Sequence, residues 1–323
     1  MLRTLINLLA LSLIPSLPAQ LTLRPDVEIP ELPSFRPLPA SDEAFNAQIA
    51  ALVEASGLDE MTAAADNVDE EDEWSSICVV DLRDVENPRV AEWRGENMLY
   101  PASTYKMYAV GEAVRRVCEG TLDLDQRFTV PEHNVRDGDR LVASQEVSLS
   151  EILRLVCEYS DNTAANMVID IVDRQRASAL LRAMDLEGSD LTRKFLPRSR
   201  EDEGYADIPG TVSCARHFAT FLWAAEAGAI GGGRGRGLIR AYLAMNVTRP
   251  ERMRAGLPDS ATLMSKTGWW SNFSAECGII EDVSEDGATR YILCVMTPYT
   301  ADVADERIAE FTRRVHALLS GGG

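Results

Sequence analysis

Tyr100-Pro101-Ala102-Ser103-Thr104-Tyr105-Lys106 marks the point at which the sequence changes its period. Before it, Trp74 to Leu82 and Arg89 to Trp93 read as two strands around a turn at Asn87-Pro88. From Ser103 to about residue 245 the apolar side chains recur at helical spacing. This predicts helices over 103–119, 148–158, 162–171, 175–184, 213–227 and 236–245. Strands return at 261–269, 274–282 and 290–297, and a last helix runs from about Asp302 to Leu319. A first helix is predicted over 41–56, with Phe45, Ile49, Leu52 and Val53 on one face and Ser41 as its cap. Strands at both ends and helices between them make an α+β plan. The sheet lobe takes residues 41–100 and 251–320, and the helical lobe takes residues 101–250. The cleft between the lobes is the natural place for a site.

The 323 residues carry a formal net charge of −19, which argues against a nucleic-acid or anionic-membrane surface. All but three of the 32 basic side chains are arginine. The three lysines are Lys106, Lys194 and Lys266. Lysine shifts its pKa readily when buried, and arginine does not, so each lysine is a candidate for a special role.

Residues 1–19 read as a secretory signal: Arg3, the apolar run Leu5 to Leu17, and a cleavage site at Leu17-Pro18-Ala19. The mature chain is then exported, periplasmic or extracellular, with no membrane span. Five prolines between Pro25 and Pro39 predict an extended tether over 20–40, outside the core. The acids Asp66 and Asp69 to Glu73 read as a solvated loop, with calcium binding a weak alternative. The six glycines of Gly228 to Gly237 read as a flexible turn. Six cysteines show no zinc spacing and read as buried thiols, although Cys277 and Cys294 could face each other across a hairpin.

Three short motifs carry chemistry. Ser103-x-x-Lys106 stands at a helix start, where the positive end of the helix dipole favours a developing alkoxide. Lys106, three residues on, can return its amine to the serine hydroxyl. To act as a base it must be neutral, and burial or a nearby cation such as Lys266 achieves that. Tyr159-Ser160-Asp161-Asn162-Thr163-Ala164-Ala165-Asn166 lies between two predicted helices, and Ser265-Lys266-Thr267-Gly268 ends a predicted strand. Taken singly, Ser103, Ser160 and Asn162 could be helix caps.

S-x-x-K, S-D-N and K-T-G in this order resemble the class A β-lactamases and penicillin-binding serine hydrolases. The resemblance covers roughly residues 41–320. It implies a five-stranded antiparallel sheet lobe with terminal helices, beside an all-helical lobe. It also implies Ser103 as nucleophile, Lys106 as base, Ser160 as proton donor to the leaving nitrogen, and Lys266 as its neighbouring cation. Asn162, Thr267, Gly268 and Trp269 are implied in substrate binding, the N–H groups of Ser103 and Trp269 forming an oxyanion hole. Arg252 is implied in binding a carboxylate, with a surface charge as the alternative. The chemistry needs side chains and water, so no cofactor or metal is called for.

The resemblance fails at one place. Class A β-lactamases carry Glu-x-x-Asn in the loop after S-D-N, and the glutamate activates the deacylating water. Here spacing puts Phe195 to Pro197 at that position, with Lys194 beside it as a surface charge. Glu201, Asp202 and Glu203 come several residues late; Glu201 or Glu203 could serve only if the loop is rebuilt. Three readings follow. One is a β-lactamase-like acyl-enzyme hydrolase with slow deacylation. Another is a penicillin-binding D,D-peptidase acting on peptidoglycan stem peptides. The third is a non-catalytic β-lactam or peptidoglycan-binding module.

Overall fold

The computed structural model describes residues 21–60, 74–284 and 287–321. The apolar leader and the acids at 66–73 lie outside them.

Five strands form the main sheet: β1 (Ser76–Asp81), β2 (Arg89–Trp93), β5 (Thr262–Trp270), β6 (Phe273–Ser284) and β7 (Gly287–Thr297). Their order is β2-β1-β7-β6-β5, with every neighbouring pair antiparallel. The terminal helices α1 (Glu43–Ala55) and α8 (Ala301–Ser320) cover one face. On that face Phe45, Ile49 and Val53 of α1 and Ile308, Phe311 and Val315 of α8 pack with Ile77, Val79 and Val295. Each such side chain is worth roughly 1.5–3 kcal/mol when taken out of water.

The helical lobe packs on the other face. It comprises α2 (Lys106–Cys118), α3 (Leu149–Glu158), α4 (Asn162–Val172), α5 (Arg174–Arg182), α6 (Ala215–Glu226) and α7 (Gly232–Leu243). A two-stranded sheet, β3 (Arg127–Thr129) with β4 (Glu146–Ser148), is appended to it. Strand side chains alternate between faces. Cys78 and Val80 therefore enter the helical-lobe core while Ile77 and Val79 enter the α1/α8 core. Helices cover both faces of β1, which explains its unbroken apolar run. Helix α2 runs through the lobe, and a Cβ on Gly111 would come within 2.4 Å of the Phe221 ring. Glycine there lets α2 and α6 approach.

Three expectations change, and the one for the cysteines stands. Residues 21–40 form neither helix nor strand, as their prolines predict, yet they are a bound strap and not a free tether. Leu21, Val27 and Leu38 are buried. Leu21 N–H donates to Asp190 (2.7 Å), Arg24 N–H to Gln175 (2.7 Å), and the Trp223 indole to the Arg36 carbonyl (2.9 Å). Proline removes some donors, but the remaining polar and apolar groups still need partners, and the lobe supplies them. The glycine-rich run is not a flexible turn throughout, because α7 begins inside it at Gly232. A Cβ on Gly235 would sit 1.8 Å from the Ile230 carbonyl oxygen, so close packing demands that glycine. Asp42, not Ser41, caps α1, accepting from Phe45 N–H. Cys277 does stand opposite Cys294, but Cys294 also stands opposite Cys78, and all three are free and buried.

Candidate active site

Ser103 lies in a 3₁₀ turn, Ala102–Tyr105, and Lys106 is the first residue of α2. Three residues per turn eclipse positions i and i+3, so serine and lysine leave the same side. Ala102 holds φ +46, a left-handed conformation that costs a non-glycine residue energy. The strand beside this turn is β5, and Gly268 makes the approach possible. A Cβ there would meet the Pro101 carbonyl at 2.4 Å and Thr104 N at 2.7 Å. This contact brings Trp269, the next residue along β5, alongside Ser103, and both line one cavity.

Ser160 is presented at the kink between α3 and α4, also at positive φ (+57). Asp161 caps α4 through Ala164 N–H (2.8 Å) and accepts from Arg140 N–H (2.7 Å), which fixes the kink. Lys106 Nζ reaches the Ser160 carbonyl (2.5 Å), Ser160 Oγ (3.2 Å) and Asn162 Oδ1 (2.7 Å). Lys266 Nζ meets Ser160 Oγ from the sheet side at 2.9 Å and the Thr267 carbonyl at 2.8 Å. One hydroxyl therefore bridges two lysines. The expected return of Lys106 to the Ser103 hydroxyl is not made; the amine is turned toward Ser160 and Asn162 instead.

Burial first, and the charge of Lys266 second, hold the Lys106 ammonium well below its usual range. Burial also lowers Lys266, to about 8. Among the described residues Lys266 is the better-charged partner at neutral pH and Lys106 the better base.

The cavity has a volume of about 840 Å³ and opens between Ser103, Ser160, Asn162 and the segment 193–198. Asn166 grips that segment, accepting from Phe195 N–H (2.7 Å) and donating to the Asn134 carbonyl (3.0 Å). The Phe195 ring stacks on Tyr105 with centroids 4.7 Å apart, and Lys106 Nζ lies 4.1 Å from its centre. An aromatic ring thus stands beside the base, where a water-activating carboxylate would be useful.

The late acids do not take that place. The Glu201 side chain is wholly buried, and its oxygens receive Arg174 (3.1 Å), Arg193 (3.0 Å) and Lys194 N–H (3.0 Å). Glu203 is exposed, and neither glutamate lines the cavity. Lys194 is no surface charge. Its side chain is 1% exposed and pairs with Asp170 (2.5 Å) and Asp202 (3.0 Å). Loop residues carry no periodicity, so their burial could not be read from spacing.

Arg252 is not a surface charge either. It is fully buried behind β5, pairs with Asp305, and donates to the carbonyls of Gly268 (3.2 Å) and Ala275 (2.8 Å). Its guanidinium does not line the cavity. Thr267 is buried, and its hydroxyl contacts that of Thr248, a residue no motif marked. Trp269 and Trp270 project at the mouth, 39% and 68% exposed.

The fold has counterparts among known proteins. A family model described as the beta-lactamase enzyme family matches residues 60–319. The chain belongs to that family. It is accordingly a β-lactamase-like serine hydrolase. No curated protein matches the sequence significantly. Among solved structures it is similar to PBP-A, with 22% identity and a TM-score of 0.68, over 90% of this chain and 98% of that one. It is also similar to a β-lactamase from Sphaerobacter thermophilus, with 19% identity and a TM-score of 0.69, over 86% and 98%. A third is a leucine-to-glutamate variant of PBP-A in an acyl-enzyme complex with penicillin G, with 21% identity and a TM-score of 0.67, over 87% and 98%. These likenesses concern the fold, which family members with different activities share.

Proposed function

We propose that the protein is an exported penicillin-binding hydrolase. In this reading it forms an acyl-enzyme on Ser103 with β-lactams or D-Ala-D-Ala-type peptides and clears the β-lactam adduct slowly. The observation that carries the reading is the asymmetry around Ser160. Two lysines converge on its hydroxyl, while the far side of Lys106 is covered by the Phe195 ring.

The proton balance closes. A neutral Lys106 has two N–H groups to give, to the Ser160 carbonyl and Asn162, and keeps a lone pair. It takes the Ser103 proton as Oγ attacks the substrate carbonyl. The oxyanion falls to the N–H groups of Ser103 and Trp269, a kind of donor worth ~3 kcal/mol. The departing nitrogen takes a proton from Ser160 Oγ, which Lys106 restores. Lys266, with the Thr267 and Thr248 hydroxyls, receives the substrate carboxylate. Arg252 acts behind them, holding the Gly268 carbonyl and so the course of β5. Hydrolysis of the ester then needs a water and a base. The lining residues offer one carboxylate, Asp139, which already accepts from the Thr163 N–H (2.7 Å) and hydroxyl (2.8 Å).

That balance favours a D,D-peptidase-like enzyme over an efficient β-lactamase. Intact-mass measurement after benzylpenicillin treatment should show one adduct, retained on Ser103 for many minutes. No adduct on the folded protein overturns the reading, and rapid loss of the adduct overturns its slow-deacylation half. A Ser103→Ala protein should acquire none.

A further inference from the structure

We infer that the helical-lobe wall of the cleft is a subsite for a carboxylate on the acyl side of the substrate, formed by Arg136 and Arg198. The inference rests on the acyl-enzyme reading and adds the chemistry of the substrate.

The chain is strongly acidic, yet this wall is basic. Four cations line the cavity, Arg136, Arg193, Lys194 and Arg198, against the single carboxylate of Asp139. Two of the four are already spent. Arg193 is paired with Glu201, and Lys194 with Asp170 and Asp202. The other two have no carboxylate partner among the described residues. Arg198 donates once, to the Ala206 carbonyl (2.6 Å), and is otherwise exposed. Arg136 is partly buried; its backbone N–H donates to Thr163 Oγ1 (2.9 Å) and its carbonyl accepts from Asp139 N–H (3.3 Å), which leaves its guanidinium without a bonded partner among the described residues.

The two come from segments far apart in sequence, but the fold clamps those segments together. Arg200 donates to the carbonyls of His133 (3.0 Å) and Val135 (3.1 Å), joining the turn that carries Arg198 to the loop that carries Arg136. Asn166 ties the same two segments through Asn134 and Phe195. A pair of uncompensated guanidinium groups on one wall presents forked donors that suit a carboxylate. Lys266 stands on β5, on the sheet side, and in the proposed function it answers one substrate carboxylate. The second cationic position therefore selects a substrate with a further anion, carried by its acyl portion.

Benzylpenicillin and its α-carboxy derivative differ by one carboxylate on the acyl side chain, so they isolate the subsite. The quantity to measure is the ratio of their second-order acylation rate constants on Ser103, which cancels the general competence of each variant. In the Arg136→Gln/Arg198→Gln protein the ratio, carboxylated over plain, should fall about tenfold, the loss of charge-assisted contacts. Arg136→Lys/Arg198→Lys should recover part of it. In the wild type the ratio should fall as salt rises from about 0.1 M to about 1 M, which shortens the screening length from ~10 Å to ~3 Å. A ratio that the glutamine pair leaves unmoved, with both penicillins still acylating, overturns the subsite alone. A wild type that neither penicillin acylates overturns the acyl-enzyme reading, and the subsite falls with it.

Discussion

The two walls of the cleft are built in opposite ways. On the Ser103 side, three short segments from α2, the α3–α4 kink and β5 bring two lysines onto one hydroxyl, within 3.2 Å and 2.9 Å. On the side of residues 193–203 the buried charges of Arg193, Lys194 and Glu201 are paired, Arg198 is left without a carboxylate partner, and a phenyl ring is what reaches the base. One wall stores charge where a reaction can use it. The other neutralises its buried charges to hold a loop. In the proposed function this difference makes forming an ester and hydrolysing it separable properties of the architecture.

The sharpest way to break the first wall is Lys106→Ala. Removing the base while Ser103 and Lys266 remain should slow acylation by benzylpenicillin about 10⁴-fold, at the upper end for a lost general base. Quench-flow mass spectrometry checks this, and a rate within tenfold of wild type would assign the base elsewhere. The second wall is altered from the other direction. Phe195→Glu puts a shorter, acidic side chain where the ring lies 4.1 Å from Lys106 Nζ, leaving room for water. Loss of the penicilloyl adduct should accelerate about 10³-fold, the reverse of losing a base. An adduct that persists unchanged would show that more than one side chain withholds hydrolysis.

The first wall was legible in the sequence and the second was not, for a physical reason. Ser103-x-x-Lys106, Ser160-Asp161-Asn162 and Lys266-Thr267-Gly268 are contiguous, and each is bound to a helix start or a strand end whose period can be read. The alternating apolar runs likewise place β1, β2, β5, β6 and β7 and most helices within a few residues. Lys194 and Glu201 sit in a loop without periodicity, where burial depends on partners brought by Asp170 and Arg174 from other helices. Arg252 was open between a surface and a binding role until its burial against Asp305 appeared. The prolines of 21–40 forecast an extended chain but not its docking, because docking depends on the lobe it lies on.

Glu201→Ala tests whether the second wall is structural. Its side chain is fully buried between Arg174 and Arg193, which are themselves largely buried. Breaking such a cluster leaves cations without a partner and costs about 3 kcal/mol. Urea unfolding should show that loss. Acylation of the protein that remains folded should stay near wild type, because no oxygen of Glu201 faces the cavity. Wild-type stability in this variant would mean that Asp202 alone satisfies the cluster.

The smallest effect is also the one that separates the two lysines. In the proposed mechanism Ser160 works between a neutral Lys106 and a charged Lys266, so acylation should pass through a plateau in pH. On the acid side the rate falls as Lys106, whose amine burial keeps below its usual range, takes up a proton. On the alkaline side it falls as pH rises through about 8, where Lys266 loses its proton. From about pH 7 to about pH 9 the charged fraction of a group of this pKa drops about tenfold, and the acylation rate should drop with it. Arginine does not titrate in this range. In Lys266→Arg the alkaline limb should therefore disappear, whatever the variant loses in overall rate. An alkaline limb that survives the substitution belongs to a group other than Lys266. The charged partner of Ser160 would then have to be sought on the helical side.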